Sequence, residues 1–96
     1  MTTFKVAHIK HQGQDMIIIP LSPSFGRKSQ ADQHSVMEAV GRAADEAGLG
    51  GTVVTIWADG TRVAFIAPTP WHPFFKSPGI YSLVMANINR ELTIPG

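Results

Sequence analysis

Ninety-six residues suffice for one hydrophobic core and not for two, so a single domain over 1–96 is expected. With 44% hydrophobic and 16% charged residues and a net charge of +1, the chain reads as globular, and its bulk charge offers little attraction to a phosphate backbone. The absence of cysteine excludes disulfides, thiolate chemistry and cysteine-ligated zinc, and suits a reducing, cytoplasmic setting. No apolar run approaches the roughly 20 residues that span a bilayer, and the N-terminal stretch has no signal-peptide core, so no membrane partner is expected.

The first element is a hairpin in "FKVAHIKHQGQDMIIIPL" (4–21). A turn at Gln12-Gly13 pairs Ile9 with Met16 and Ala7 with Ile18 on one face, and His8 with Ile17 and Val6 with Ile19 on the other. Both faces are largely apolar, as in strands covered on two sides. Pro20 ends the second strand. The connection "PLSPSFGRKS" (20–29) opens a helix in "SQADQHSVMEAVGRAADEAGLGG" (29–51). Ser29 suits its N-cap, with Asp32 three residues on; Val36, Ala39, Val40, Ala43 and Ala47 recur at helical spacing, and Gly48 suits the stop. Gly41 inside this helix costs about 1 kcal/mol against alanine, which predicts a close approach to the sheet.

A second hairpin follows in "TVVTIWADGTRVAFIAP" (52–68). Asp59-Gly60 suits a two-residue type I′ turn that pairs Ala58 with Thr61, Ile56 with Val63 and Val54 with Phe65. The other face then carries Val53, Thr55, Trp57, Arg62, Ala64 and Ile66. Pro68 starts the connection "PTPWHPFFKS" (68–77), and "KSPGIYSLVMANINREL" (76–92) predicts a second helix. Ser77 would cap it, Pro78 would take its first position, and Ile80, Val84, Ile88 and Leu92 would form its apolar stripe.

The order is therefore ββα followed by ββα. At an offset of 48 the halves 1–48 and 49–96 share Val6/Val54, Ile18/Ile66, Pro20/Pro68, Lys28/Lys76, Ser29/Ser77, Val36/Val84, Met37/Met85, Arg42/Arg90 and Gly48/Gly96. These coincide at strands, strand ends, caps and helix cores. The expected fold is α+β, a pseudo-duplicated ββα-ββα with a mainly antiparallel four-stranded sheet and two helices on one face. The opposite face would be left open. Ile9, Met16, Ile18, Val53, Trp57, Arg62 and Ile66 are its candidate residues, and packing that face on a second copy makes a homodimer the expected assembly.

Function is expected in the two equivalent connections, 20–29 and 68–77. Phe25, Trp71 and His72 offer contact surface, while Lys28-Ser29 and Lys76-Ser77 at helix starts favour an anion. Pro70 and Pro73 stiffen the Trp71-His72 pair between them, which lowers the entropy lost on binding. Trp71, Phe74 and Phe75 equally suit plugs over the core. The leading expectation is a non-enzymatic binding or protein-interaction module, taking a protein partner or a small anionic ligand and no cofactor. One alternative is a small enzyme or ligand sensor with Ser24 and His72 in a pocket between the loops, although no motif frames Ser24 as a nucleophile. Another is a single-stranded nucleic-acid binder that uses Trp57 and Trp71 among Arg27, Lys28, Arg62 and Lys76. The histidines, His8, His11, His34 and His72, lack chelating spacing, so no metal is expected.

Overall fold

Two runs of apolar residues dictate the architecture. In the computed structural model, which describes residues 2–11 and 13–94, Met16–Ile19 and Val54–Trp57 are buried without interruption. Because strand side chains alternate between faces, such runs place apolar groups on both sides of a sheet. Each side must then be covered.

The first hairpin forms in the expected register. β1 (Thr2–His11) pairs antiparallel with β2 (Gln14–Leu21) through Ala7–Ile18, His8–Ile17 and Ile9–Met16. Gln12 of the predicted turn lies outside the described residues. α1 (Gln30–Glu46) then carries the chain back so that β3 (Thr52–Asp59) lies parallel to β2, with Ile18 opposite Val54. A parallel pair needs such a crossover.

β4 (Arg62–Ile66) returns antiparallel to β3. Its register differs from the expected one by two residues: Asp59 faces Arg62, Ala58 faces Val63 and Ile56 faces Phe65. Gly60, with φ +64°, takes the first central position of the turn, where both primed turn types need positive φ. A slip of two preserves the faces.

The last quarter departs further from expectation. A 3-10 turn (Thr69–Trp71), α2 (His72–Phe75) and α3 (Ile80–Ala86) lead to β5 (Arg90–Ile94), which pairs antiparallel with β1. The predicted helix through Leu92 is thus only its first part. Ser77 does not cap it: the hydroxyl donates to the Pro73 carbonyl, and Gly79 in the left-handed region precedes α3. The helix stops where the Asn87 amide turns back on the Leu83 carbonyl. Asn89 then ties the chain to β1. Its N–H donates to the Val6 carbonyl, its side chain accepts from the His8 N–H, and its amide donates to the His8 carbonyl.

The sheet is therefore five-stranded and mixed, in the order β4-β3-β2-β1-β5, and not four-stranded. The helices do not share a face. α1 packs Val40 and Ala44 onto Val6, Ile17, Ile19 and Leu92. On the other side Trp71, Phe75, Ile80 and Val84 pack onto Ala7, Met16, Ile18, Val54 and Ile56. This overturns the expected open face. Ile9, Met16 and Ile18 belong to the α2–α3 side, whereas Val53, Trp57, Arg62 and Ile66 alternate onto the α1 side. The two halves also differ as repeats, since their helices cover opposite faces and only the second half adds a strand. Gly96 of the last repeat pair lies outside the described residues. Among the described residues no helix is long and apolar enough to cross a membrane.

Two glycines of this framework carry opposite consequences. A Cβ on Gly41 would lie 3.8 Å from Val53 Cγ2, an ordinary contact, so the expected close approach is not there. Gly51 has φ +131°, and its Cβ would come within 2.6 Å of the Asp15 carbonyl oxygen on the neighbouring strand. Urea denaturation should show Gly41→Ala more stable by about 1 kcal/mol. In the same assay Gly51→Ala should be less stable by about 1–3 kcal/mol. Thr55 is fully buried, and among the described residues its hydroxyl has no hydrogen-bond partner. Thr55→Val should raise the urea midpoint, by a stability gain of about 1 kcal/mol.

Candidate functional site

The first connection folds back on the sheet. Pro23 initiates a 3-10 turn (Pro23–Arg27) that turns Phe25 inward, where it is 3% exposed. Its ring meets Trp57 edge-on, with centroids 5.1 Å apart. Gly26 passes over the same indole, and any Cβ there would collide with Trp57 Nε1. The Gln33 amide donates to the Phe25 carbonyl at 3.0 Å, which fixes the turn to α1. Ser29 caps α1 as expected, accepting from the Asp32 N–H at 3.1 Å. Phe25 and Ser29 thus serve the packing of this loop. Lys28 stays exposed beside a cavity of about 260 Å³ bounded by Phe4, Leu21, Phe25 and Val36.

The second connection covers the other face. Trp71, 9% exposed, and Phe75 enter the core there. Phe75 lies tilted against Phe65 and edge-on to Phe74, at centroid distances of 5.4 and 5.1 Å. His72 lies edge-on to Phe65 at 5.2 Å. Its Nε2 is 2.9 Å from the Ala67 carbonyl, and because a carbonyl only accepts, Nε2 carries the proton. The prolines hold this segment in two short turns.

The two connections therefore lie on opposite sides of the sheet. Ser24 shares its hydroxyl with Ser22 at 2.7 Å, and His72 is bonded to Ala67, so the expected Ser24–His72 pocket is not formed. Trp57 and Trp71 are likewise separated and form no continuous stacking platform. No group of three or more metal-ligating side chains occurs among the described residues.

What the structure does bring together is the end of the second connection and the tip of the β3–β4 hairpin. Between them runs a groove of about 590 Å³. Phe65, Phe75 and Ile80 supply its apolar part, and Lys76, Ser77, Tyr81 and Ser82 its polar wall. Thr61 and Arg62 border it at the hairpin tip, although Arg62 alternates toward the α1 side. Among the described residues no carboxylate lines it. Of the candidate residues, Lys76 and Ser77 line this groove and Arg62 only borders it, whereas Phe25, Lys28, Ser29, Trp71 and His72 do not line it. Tyr81 and Ser82 were not anticipated. The Pro78-Gly79 pair is a turn signal that delays α3 by two residues, and it is what places them on this wall.

Compared with known protein families, with curated proteins and with solved structures, the chain matches none.

Burial of Trp71 implies a structural load. Trp71→Ala should lower stability by about 3–5 kcal/mol in chemical denaturation, as for other buried aromatic truncations. An indole held ready in solvent would leave the unfolding midpoint unchanged.

Proposed function

We propose that the protein is a non-enzymatic binding module that holds a small anionic ligand with an apolar body in the groove between the hairpin tip and residues 75–82. The observation that carries this reading is the company Lys76 keeps. An exposed ammonium stands at the edge of an apolar-floored groove, beside the hydroxyls of Tyr81 and Ser82, with no carboxylate among the described lining residues to compete for it. Ligand sites commonly combine a largely apolar surface with a few convergent polar groups. The floor is rigid before any ligand arrives, because Phe75 and Ile80 already belong to the core. Little ordering entropy is then lost on binding. Ser24 and His72, the pair on which an enzymatic reading rested, are held apart by the sheet.

Amide NMR spectra titrated with phenyl phosphate, inorganic phosphate and a short single-stranded DNA test this. Saturable shifts at Thr61–Val63 and Lys76–Ser82 are expected with phenyl phosphate, and weaker ones with inorganic phosphate. Lys76→Ala should weaken phenyl phosphate binding by about tenfold or more, the size of a lost charge-assisted hydrogen bond, at unchanged melting temperature. Shifts confined to residues 22–29, or a response to DNA alone, would overturn the assignment.

A further inference from the structure

The two outer strands of the sheet are built differently. β5 carries Arg90 and Glu91 within its five residues. β4 has its one charge at its first position, Arg62, and continues Val63-Ala64-Phe65-Ile66. Sheets blunt exposed edges with charge, proline or bulges, because a bare edge recruits another strand. The interior of β4 has none of these.

The hairpin register shows which backbone groups face outward. Residues flanking a two-residue turn exchange hydrogen bonds with each other, so Asp59 and Arg62 bond inward, and by alternation so do Ala64 and Ile66. The N–H and C=O groups of Val63 and Phe65 point away from β3. Among the described residues no turn, loop or side chain takes them up. The next outward carbonyl, that of Ala67, is occupied by His72 Nε2. The bare edge is therefore limited to Val63 and Phe65, one residue either side of Ala64.

We propose that this edge is a homodimer interface: β4 pairs antiparallel with β4 of a second copy about a twofold axis between the two Ala64 residues, making one continuous sheet. In this register Val63 of each chain faces Phe65 of the other, and every bond uses a free backbone group. Other twofold registers do not. Centring on Phe65 would require the Ala67 carbonyl, and centring on Val63 would require Thr61 from inside the turn. At the axis the two Ala64 residues form a non-hydrogen-bonded pair, with Cα atoms about 4.5 Å apart, where small side chains fit best. Charge is also compatible. Arg62 faces Ile66 of the second copy, which keeps the two guanidinium groups apart. Beside Ile66 on the α1 side lies a groove of about 350 Å³ lined by Gln30, Gln33, His34 and Met37. The stem of Arg62 from the second copy would lie along Ile66 and Met37, with glutamine side-chain oxygens as acceptors for its head.

This inference deepens the dimeric part of the expected function and does not depend on the groove holding a ligand. Because the chain has no cysteine, one introduced thiol is a unique reporter. Ala64→Cys should oxidise to a covalent dimer at micromolar concentration, since the axial spacing lies in the disulfide range. Thr93→Cys on β5 should form little covalent dimer under the same oxidation. The unmodified protein should sediment at twice 10.4 kDa, and Ala64→Lys at 10.4 kDa with an unchanged circular dichroism spectrum. Sedimentation of the unmodified protein at 10.4 kDa up to millimolar concentration would overturn the proposal, as would equal cross-linking of the two cysteine variants. Mass and groove shifts are separate readouts, so either reading can fail while the other stands.

Discussion

Everything in this fold answers to the burial of β2 and β3 on both faces. Ile17 and Ile19 point to one side, Met16 and Ile18 to the other, and Val54 and Ile56 extend the second set across the parallel junction. α1 can cover only one side, because it is the crossover that makes β2 and β3 parallel. The second cover must come from the chain between β4 and β5. That stretch leaves from an edge and must bend over the sheet within a few residues. Prolines at 68, 70, 73 and 78 divide it into short turns, and Trp71, Phe75, Ile80 and Val84 reach down from successive turns. The density of proline and aromatic residues is thus the form that a lid takes when too little chain remains for a long helix.

The same stretch links the core to the surface features. His72 holds the end of β4 through the Ala67 carbonyl and lies against Phe65, whose neighbour Phe75 floors the groove. One imidazole therefore sets both the limit of the free edge and the position of the segment bearing Lys76. Changes to packing under α2 would be felt at both places.

What could be read in the sequence was local. The first hairpin was legible in register because alternation on both strands and a glycine turn agree. Ser29 and the spacing of Val36, Ala39, Val40, Ala43 and Ala47 located α1. The second hairpin was found but slipped by two, since Asp59-Gly60 and Gly60-Thr61 place the same residues on each face. The parallel β2–β3 register and the β1–β5 pairing are set by no turn, and neither was foreseen. Leu92 misled for a physical reason: its spacing from Ile88 suits a helix, while its spacing from Ile94 suits a strand. Of the candidate site, Lys76 and Ser77 were legible as a basic, hydroxyl-bearing end to a rigid loop. Trp71 suits plug and contact surface alike, and Phe25 reads as contact surface yet is buried, because burial depends on which face each loop folds over. The open face was an error of layer. Its apolar residues belong to two faces and not one.

The pairing of β1 with β5 joins the two most distant parts of the described chain, from Thr2 opposite Ile94 to Val6 opposite Arg90. Contacts of such separation are made late, after the loop they close has already been shortened by other structure. β5 also supplies Leu92 to the cluster beneath α1. The α1 side of the core is therefore completed only when β5 docks, and the Asn89 amide clasping both backbone groups of His8 is the latch on that step. Once folded, the same latch governs the first place to open. Release of Asn89 would free β5 and uncover Phe4 and Val36 while the four remaining strands stayed paired, giving the molecule a partially opened form below its global unfolding free energy.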